Sequence, residues 1–339
     1  MHFSDEQNKI LEASGFKDDE VSKRPTNLTK MNKNFSIQKL QKIFVTNNSV
    51  IIKQGAVLKD FCVAEEHFKK YQKLKFRLKY FFPIFSFAKK PHILITDEWS
   101  KNYCHWLWEA LSKLIDLKRE FPDAILVLPK SYLKIDFVMK SLAAFGFNNS
   151  NIKTIPKKSQ LFLNNVAAIP CINIATPGYY DYLKFNEVGQ TLVSHYQNQL
   201  KTNFGERIYI SRNRPDKEVP RRVNNEKELV AMLAKYGFKT VYMENFSFLE
   251  QISIASFARF IVASHGAGIT NCMFAKKPTH LFELINESWK GTCFEKMCKK
   301  AEITYSRIDC KQSDNGTIHL GNITVDVAKL EQKISEFLK

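Results

Sequence analysis

From about residue 42 to the C-terminus the apolar residues come in short runs set apart by polar breaks, and two periods alternate along the chain. Ile43-Phe44-Val45 and Val50-Ile51-Ile52 read as strands, as do Ile93-Leu94-Ile95-Thr96 and the runs 124–129, 151–156 and 166–170. Between them lie stretches of helical period: 103–118, with Leu107, Ala110, Leu111, Leu114 and Ile115 on its apolar face, then 137–145 and 182–200. The polar, Gly-marked Lys201-Thr202-Asn203-Phe204-Gly205 interrupts the pattern and predicts a domain linker. Beyond it the cycle is more regular. Strands 207–211, 239–243, 259–263 and 280–285 alternate with helices 225–236, 247–257, 269–275 and 292–300, and a last helix spans 325–338. Such alternation predicts a parallel sheet covered on both faces. The chain thus divides into a polar lead-in, 1–40, a first α/β domain, 41–203, and a second, 204–339.

One segment carries an unusual pattern. Lys73-Leu74-Lys75-Phe76-Arg77-Leu78-Lys79-Tyr80 alternates strictly, and as a strand it sets four cations on one face and four apolar groups on the other. Phe81-Phe82-Pro83-Ile84-Phe85-Ser86-Phe87 follows and runs into Lys89-Lys90. Two readings stand: an edge strand whose lysines discourage aggregation, and a peripheral contact with an anionic inner-membrane surface.

Composition adds a sign to the picture. With 51 Lys and Arg against 34 Asp and Glu, the net charge of +17 calls for an anionic partner: nucleic acid, an anionic membrane, or a nucleotide or phosphosugar. No RNA-binding signature, zinc-finger spacing or basic zipper is present, so nucleic acid is set aside. At 44% hydrophobic and 25% charged residues the chain is globular rather than disordered. No apolar run reaches the roughly 18 residues of a membrane span. Met1-His2-Phe3-Ser4-Asp5-Glu6 lacks a signal-peptide pattern, so the expected location is the cytoplasm, with at most peripheral attachment to the inner face of the plasma membrane. Seven scattered cysteines, never spaced C-x-x-C, predict free thiols and no structural zinc.

The candidate chemistry gathers at strand ends. Ser264-His265-Gly266-Ala267-Gly268-Ile269-Thr270-Asn271 follows a buried strand, where glycines admit a ligand to the backbone and the next helix offers unpaired N–H groups. A tight strand-to-helix turn would read the same way. Another strand end carries Ser211 and Arg212, with Arg221, Arg222 and Asn224 close behind. Strand ends bearing arginine beside a Gly/His turn are what a doubly wound sheet presents at its ligand-binding edge, and a diphosphate suits a planar, permanently charged guanidinium. On the helix 103–118, His105 and Glu109 are four apart and share a face with Ser112 and Asp116. That stripe fits either a solvated face or a carboxylate–imidazole pair able to take a proton from a hydroxyl. Asp97, at a strand end with Glu98, is a third acid/base candidate. No D-x-D triplet exists to hold a metal.

Ile208-Tyr209-Ile210-Ser211-Arg212, Arg221-Arg222-Val223-Asn224-Asn225-Glu226, Tyr236-Gly237-Phe238, Ser264 through Asn271 and Leu281-Phe282-Glu283-Leu284 together resemble the C-terminal half of glycosyltransferase family 61. Asn102-Tyr103-Cys104-His105-Trp106-Leu107-Trp108-Glu109 is similar to that family's N-x-x-H-W-L-x-E element. The blocks run in order from about residue 92 to 285. The resemblance implies two Rossmann-like domains facing a cleft, the GT-B architecture, with the last helix packing back on the first domain. It implies an inverting, metal-independent hexosyl- or pentosyltransferase that uses no cofactor and takes a nucleotide-sugar donor, UDP-linked by preference. The acceptor is a hydroxyl of a saccharide or lipid-linked saccharide in bacterial capsule or lipopolysaccharide synthesis. Glu109 is favoured as base with His105 orienting it, and the reversed roles remain open. Arg212 neutralises the leaving diphosphate, Ser211, Arg222 and Asn224 assist, and His265 offers a ring N–H to a phosphate oxygen. Gly266, Ala267, Gly268, Thr270 and Asn271 complete the cradle, and Glu283 holds the ribose. A CMP- or ADP-linked donor, or a non-catalytic saccharide- or nucleotide-binding module, is the alternative.

Overall fold

A computed structural model describes residues 35–80, 83–171, 179–201, 204–214, 218–314, 316–318 and 320–338. The lead-in up to residue 34, with its acidic run at 18–20, and part of the linker lie outside the described residues. The chain forms two compact units, one of residues 35–200 with 247–252, the other of 201–246 with 253–339.

The first unit is built on a mixed sheet of eight strands: β1 (Gln38–Thr46), β2 (Ile51–Lys53), β3 (Ala56–Val57), β4 (Pro83–Phe85), β5 (His92–Leu94), β6 (Ile125–Pro129), β7 (Ile152–Ile155) and β8 (Gln160–Ala168). Their order is β3-β2-β1-β8-β5-β6-β7, with β4 also beside β8. Short turns join β1, β2 and β3, at Ser49 and at Gln54-Gly55 with positive φ, so these strands must run antiparallel. A helical crossover separates β5 from β6, and they run parallel, as do β6–β7 and β5–β8. This sheet is therefore mixed where strand–helix alternation alone predicts a parallel one. Leu40, Ile43 and Val45 of β1 pack with Leu161, Leu163 and Val166 of β8 and with Leu94, Val127 and Ile155 in one core.

Two expectations for this unit change. The alternating stretch after residue 72 is not a strand: the helix Leu74–Lys79 occupies it, directly after the helix Glu65–Gln72. Phe76 and Tyr80, four apart, meet at 4.8 Å with tilted rings, and Phe76 also meets Tyr71 at 4.6 Å. Helical winding gathers that aromatic trio, with Tyr71 and Tyr80 buried, which period-two pairing would have scattered. The stripe of His105, Glu109 and Ser112 is not a solvated face either, since Glu109 and Ser112 are buried together with Leu107, Ala110, Leu111, Leu114 and Ile115.

The second unit carries β9 (Arg207–Ile210), β10 (Lys239–Val241), β11 (Phe260–Ser264), β12 (His280–Asn286), β13 (Thr304–Gln312) and β14 (Ile323–Thr324) in the order β10-β9-β11-β12-β13-β14. The first five are parallel, and β14 runs antiparallel to β13. The chain winds one way from β9 to β10 and the other way from β11 onward. In parallel α/β sheets that reversal opens a crevice at the carboxyl ends of the two central strands. Here those are β9 and β11.

The final helix, Val327–Phe337, packs within its own unit. Leu330 and Ile334 are fully buried against Leu229 and Leu233 of the helix Glu226–Lys235 and against Phe282 and Ile308 of the sheet. Its apolar face is thereby used, where the sequence reading carried this helix back to the first domain. Among the described residues no helix is long and apolar enough to cross a membrane.

Candidate functional site

Each unit holds one cluster of chemically capable side chains. In the first, the segment after β5 begins as a single turn, Tyr103–His105, widens into a π-helical turn over Trp106–Ala110, and continues as the helix Leu111–Glu120. The Asn102 side chain caps the start by accepting the Cys104 N–H at 2.9 Å. Trp106, wholly buried, anchors the wide turn by donating to Ser141 Oγ at 2.8 Å. Such turns recur at functional sites because the extra residue re-aims the side chains on either side of it.

His105 stands just before that turn and Glu109 within it. His105 Nδ1 lies 2.8 Å from Glu109 Oε1, and the same oxygen accepts the Tyr179 hydroxyl at 2.5 Å. The Glu109 side chain is 7% exposed and that of His105 is 24%, so the carboxylate stands behind the imidazole. A carboxylate only accepts, so Nδ1 donates and Nε2 is left for chemistry. Burial by itself lowers the His105 pKa, but the Glu109 carboxylate outweighs it, with Asp97 adding, and holds the ring above the ordinary histidine value.

Asp97 belongs to the scaffold beneath this pair. Its Oδ1 accepts the N–H groups of Trp99 and Ser100 and the Ser100 hydroxyl, and its Oδ2 accepts Lys113 Nζ at 3.1 Å and Cys171 Sγ at 3.5 Å. Both oxygens are occupied. Burial pushes its pKa up, Lys113 and Ser100 pull harder, and the carboxyl stays below the usual range.

In the second unit Ala263 of β11 stands opposite Ile210 of β9, so Ser211-Arg212 and Ser264-His265-Gly266 leave the sheet side by side. Gly266 has φ 154°, and a β-carbon there would fall 2.1 Å from Arg212 Nη1 and 3.6 Å from Arg221 Nη1. Glycine thus lets the Arg212 guanidinium close on that backbone, with Arg221 beside it at ordinary contact distance. At Gly268 a β-carbon would press on Ile210 Cγ2 at 3.1 Å, which lets the turn, Ala267 included, settle on β9. Arg221 donates to the His265 carbonyl at 3.2 Å and holds φ 63°, an unusual conformation for a residue with a side chain. Burial lowers the Arg212 pKa, with Glu244 opposing, and lowers that of Arg221 to about 10, with the Arg212 charge adding to the effect. Both remain charged at neutral pH, so the pair is a ready site for an anion with two acceptor groups.

His265 Nδ1 lies 2.5 Å from Glu283 Oε1, and Glu283 Oε2 accepts the Tyr305 hydroxyl at 2.6 Å. Glu283, expected at a ribose, has both oxygens engaged inside the protein. Burial lowers the His265 pKa; Glu283 opposes this, but Arg221 and Arg212 add to the lowering, and the ring ends below its ordinary value. At neutral pH it carries its proton on Nδ1 and presents a lone pair at Nε2. The expected ring N–H toward a phosphate is therefore not the resting form.

The remaining predicted residues fall around this cluster. Ser211 Oγ donates to Glu226 Oε1 at 2.6 Å, fixing the strand end to the next helix. Arg222 and Asn224 stitch the segment to β14: Arg222 N–H reaches Asn322 Oδ1, Asn224 N–H reaches the Ile323 carbonyl, and the Asn224 amide reaches Ser313 at 2.8 Å. Thr270 and Asn271 are wholly buried, and Asn271 donates back to the Gly268 carbonyl at 3.1 Å. Tyr179, Tyr305 and Arg221 were not among the predicted site residues. A small pocket adjoins His265, walled by Arg221, Ser264, Asn286 and Trp289 among others. The Ser264 hydroxyl there is buried and has no hydrogen-bond partner among the described residues.

The family model described as Glycosyltransferase 61 matches residues 87–282, more than half of the chain. That span takes in Asp97, His105, Glu109, Arg212, Arg221 and His265 and stops one residue before Glu283. Among curated proteins none matches the chain.

Proposed function

The chain belongs to glycosyltransferase family 61, and from that footing we propose that it moves a hexosyl or pentosyl group from a nucleotide sugar to a saccharide hydroxyl with inversion and without a metal. The observation that carries this reading is the pair of guanidinium groups converging on Gly266 at the ends of β9 and β11. Arg212 and Arg221 neutralise the diphosphate as it leaves, which is electrostatic stabilisation of developing charge. The missing D-x-D triplet supports a scheme in which these cations take the metal's part. A UDP-linked donor is the expected one.

His105 serves as the base in this scheme, with the buried Glu109 and Tyr179 holding it in position. Its greater exposure favours this order of roles over the reverse. Nε2 takes the acceptor proton as the hydroxyl oxygen attacks the anomeric carbon, and the bond from that carbon to the diphosphate breaks. A two-domain GT-B enzyme of bacterial capsule or lipopolysaccharide synthesis, with a saccharide or lipid-linked acceptor, is the setting that the lysine- and asparagine-rich composition suggests.

Incubation with UDP-, GDP-, CMP- and ADP-linked sugars in EDTA, with a saccharide primer, tests the reading by nucleotide release. Release of UDP with elongation of the primer is expected. Activity that vanishes in EDTA and returns with manganese or magnesium overturns metal independence. Release from CMP- or ADP-sugars alone moves the donor, and tight binding without any release makes the chain a non-catalytic module.

A further inference from the structure

Four of the seven large apolar side chains exposed among the described residues fall within fourteen positions: Leu74 at 69%, Leu78 at 63%, Phe85 at 49% and Phe87 at 91%. Leu74 and Leu78, four apart, share the outer face of a helix whose Phe76 packs inward against Tyr71 and Tyr80. Phe85 ends β4 and Phe87 stacks with it at 6.4 Å, so the most exposed ring in the set is held by a neighbour rather than by the core. Folding has left these groups in water although inward positions were available to Phe76 and Tyr80 beside them.

Charge around them is of one sign. Residues 73–90 contain six Lys and Arg and no Asp or Glu. Lys73, Lys75, Lys79, Lys89 and Lys90 are exposed, and none of them pairs with a carboxylate among the described residues. Lysines that only discourage strand pairing need no exposed leucine or phenylalanine between them. A surface that interleaves bare apolar groups with unpaired cations matches an anionic bilayer, whose headgroups take the ammonium groups while the rings and leucines enter the acyl boundary. Most of the segment precedes the span matched by the family model, with Phe87, Lys89 and Lys90 among the first residues of that span.

We propose that residues 73–80 and 83–90 dock the protein on an anionic lipid bilayer, with Leu74, Leu78, Phe85 and Phe87 as the inserting groups and the five exposed lysines as the electrostatic contact. Each lysine near such a surface contributes about fivefold in affinity, and the contribution fades within a Debye length of about 10 Å at 0.1 M salt. The proposal stands whether or not the transferase reading holds.

Flotation of the full chain with vesicles of phosphatidylcholine alone, and with about one phosphatidylglycerol in three lipids, at about 0.1 M salt tests it. Binding to the anionic vesicles only is expected. Lys89→Glu with Lys90→Glu should weaken it by at least tenfold, and so should Phe87→Ser, with unfolding midpoints unchanged. If Leu74→Ser with Leu78→Ser disturbs the fold, Phe87→Trp provides a second reading, because its fluorescence should be quenched by brominated acyl chains. Equal binding to neutral vesicles, no binding to either, or unaltered binding by Phe87→Ser and Lys89→Glu with Lys90→Glu overturns the proposal. Tighter capture of single-stranded DNA with the same dependence on Lys89 and Phe87 overturns it in favour of nucleic acid.

Discussion

His105 meets Glu109 at 2.8 Å across a π-helical turn, with the imidazole toward solvent and the carboxylate buried behind it. The carboxylate raises the pKa of the ring, and burial would otherwise lower it. With His105 as base, turnover falls on acidification as Nε2 is protonated. Glu109→Gln removes the raising charge, so the acid limb of the kcat profile should move to lower pH while the plateau drops. His105→Ala should lower kcat by about 10² to 10⁴, the usual range for a lost general base. A Glu109→Gln enzyme whose acid limb stays in place would separate the two residues and return the base to another group.

Gly266→Ala should cost at least tenfold in UDP affinity and also lower the unfolding midpoint, because φ 154° strains any residue that carries a β-carbon. The new methyl group occupies the position of Arg212 Nη1, and the guanidinium must swing away. Arg212→Ala and Arg221→Ala should each lose roughly 1.5–3 kcal/mol of diphosphate binding, the scale of a charged hydrogen bond. Calorimetry that finds all three variants binding like the parent would remove the diphosphate from this site.

Binding of UDP near pH 7 should take up a proton. His265 rests below its ordinary pKa, in part because of Arg221 and Arg212, and a bound diphosphate cancels that influence and raises it. Affinity should therefore increase as the pH falls through the pKa of the bound form and level off below that of the free protein. Titrations in buffers of different ionisation enthalpy measure the uptake directly, and His265→Gln should abolish it. Identical heats in all buffers would show that the ring does not change state.

Lys113→Met should destabilise the first unit by about 3–5 kcal/mol, because it leaves the Asp97 carboxylate buried without its cation. Urea unfolding followed by tryptophan fluorescence reads this out. A variant as stable as the parent would mean that water reaches Asp97.

The regular cycle of the second unit was legible because buried parallel strands such as Phe260–Ser264 are continuous apolar runs bounded by helical periods. β13 was not: Thr-Tyr-Ser-Arg-Ile-Asp-Cys-Lys-Gln is mostly polar, and pairing with β12 over seven residues, rather than hydrophobic burial, makes it a strand. Tyr305 was lost with it. His105, Glu109, Arg212, His265 and Glu283 could be nominated from type and position, but their pairing could not. That Glu283 belongs to His265 and Tyr305 depends on side chains brought together from three adjacent strands. Arg221 looked like one more exposed loop cation, and only its positive φ and its approach to Gly266 set it apart.

Asn213 grips Val223 with both ends of its amide, donating to the carbonyl at 2.6 Å and accepting the N–H at 2.9 Å. The clasp ties together two points of the chain, one residue beyond Arg212 and two residues beyond Arg221. The two cations are therefore not independent fingers but tines of one fork. Whatever loosens the clasp, such as Asn213→Ala, should weaken both contacts to an anion together and leave each guanidinium chemically intact, a loss of aim rather than of charge.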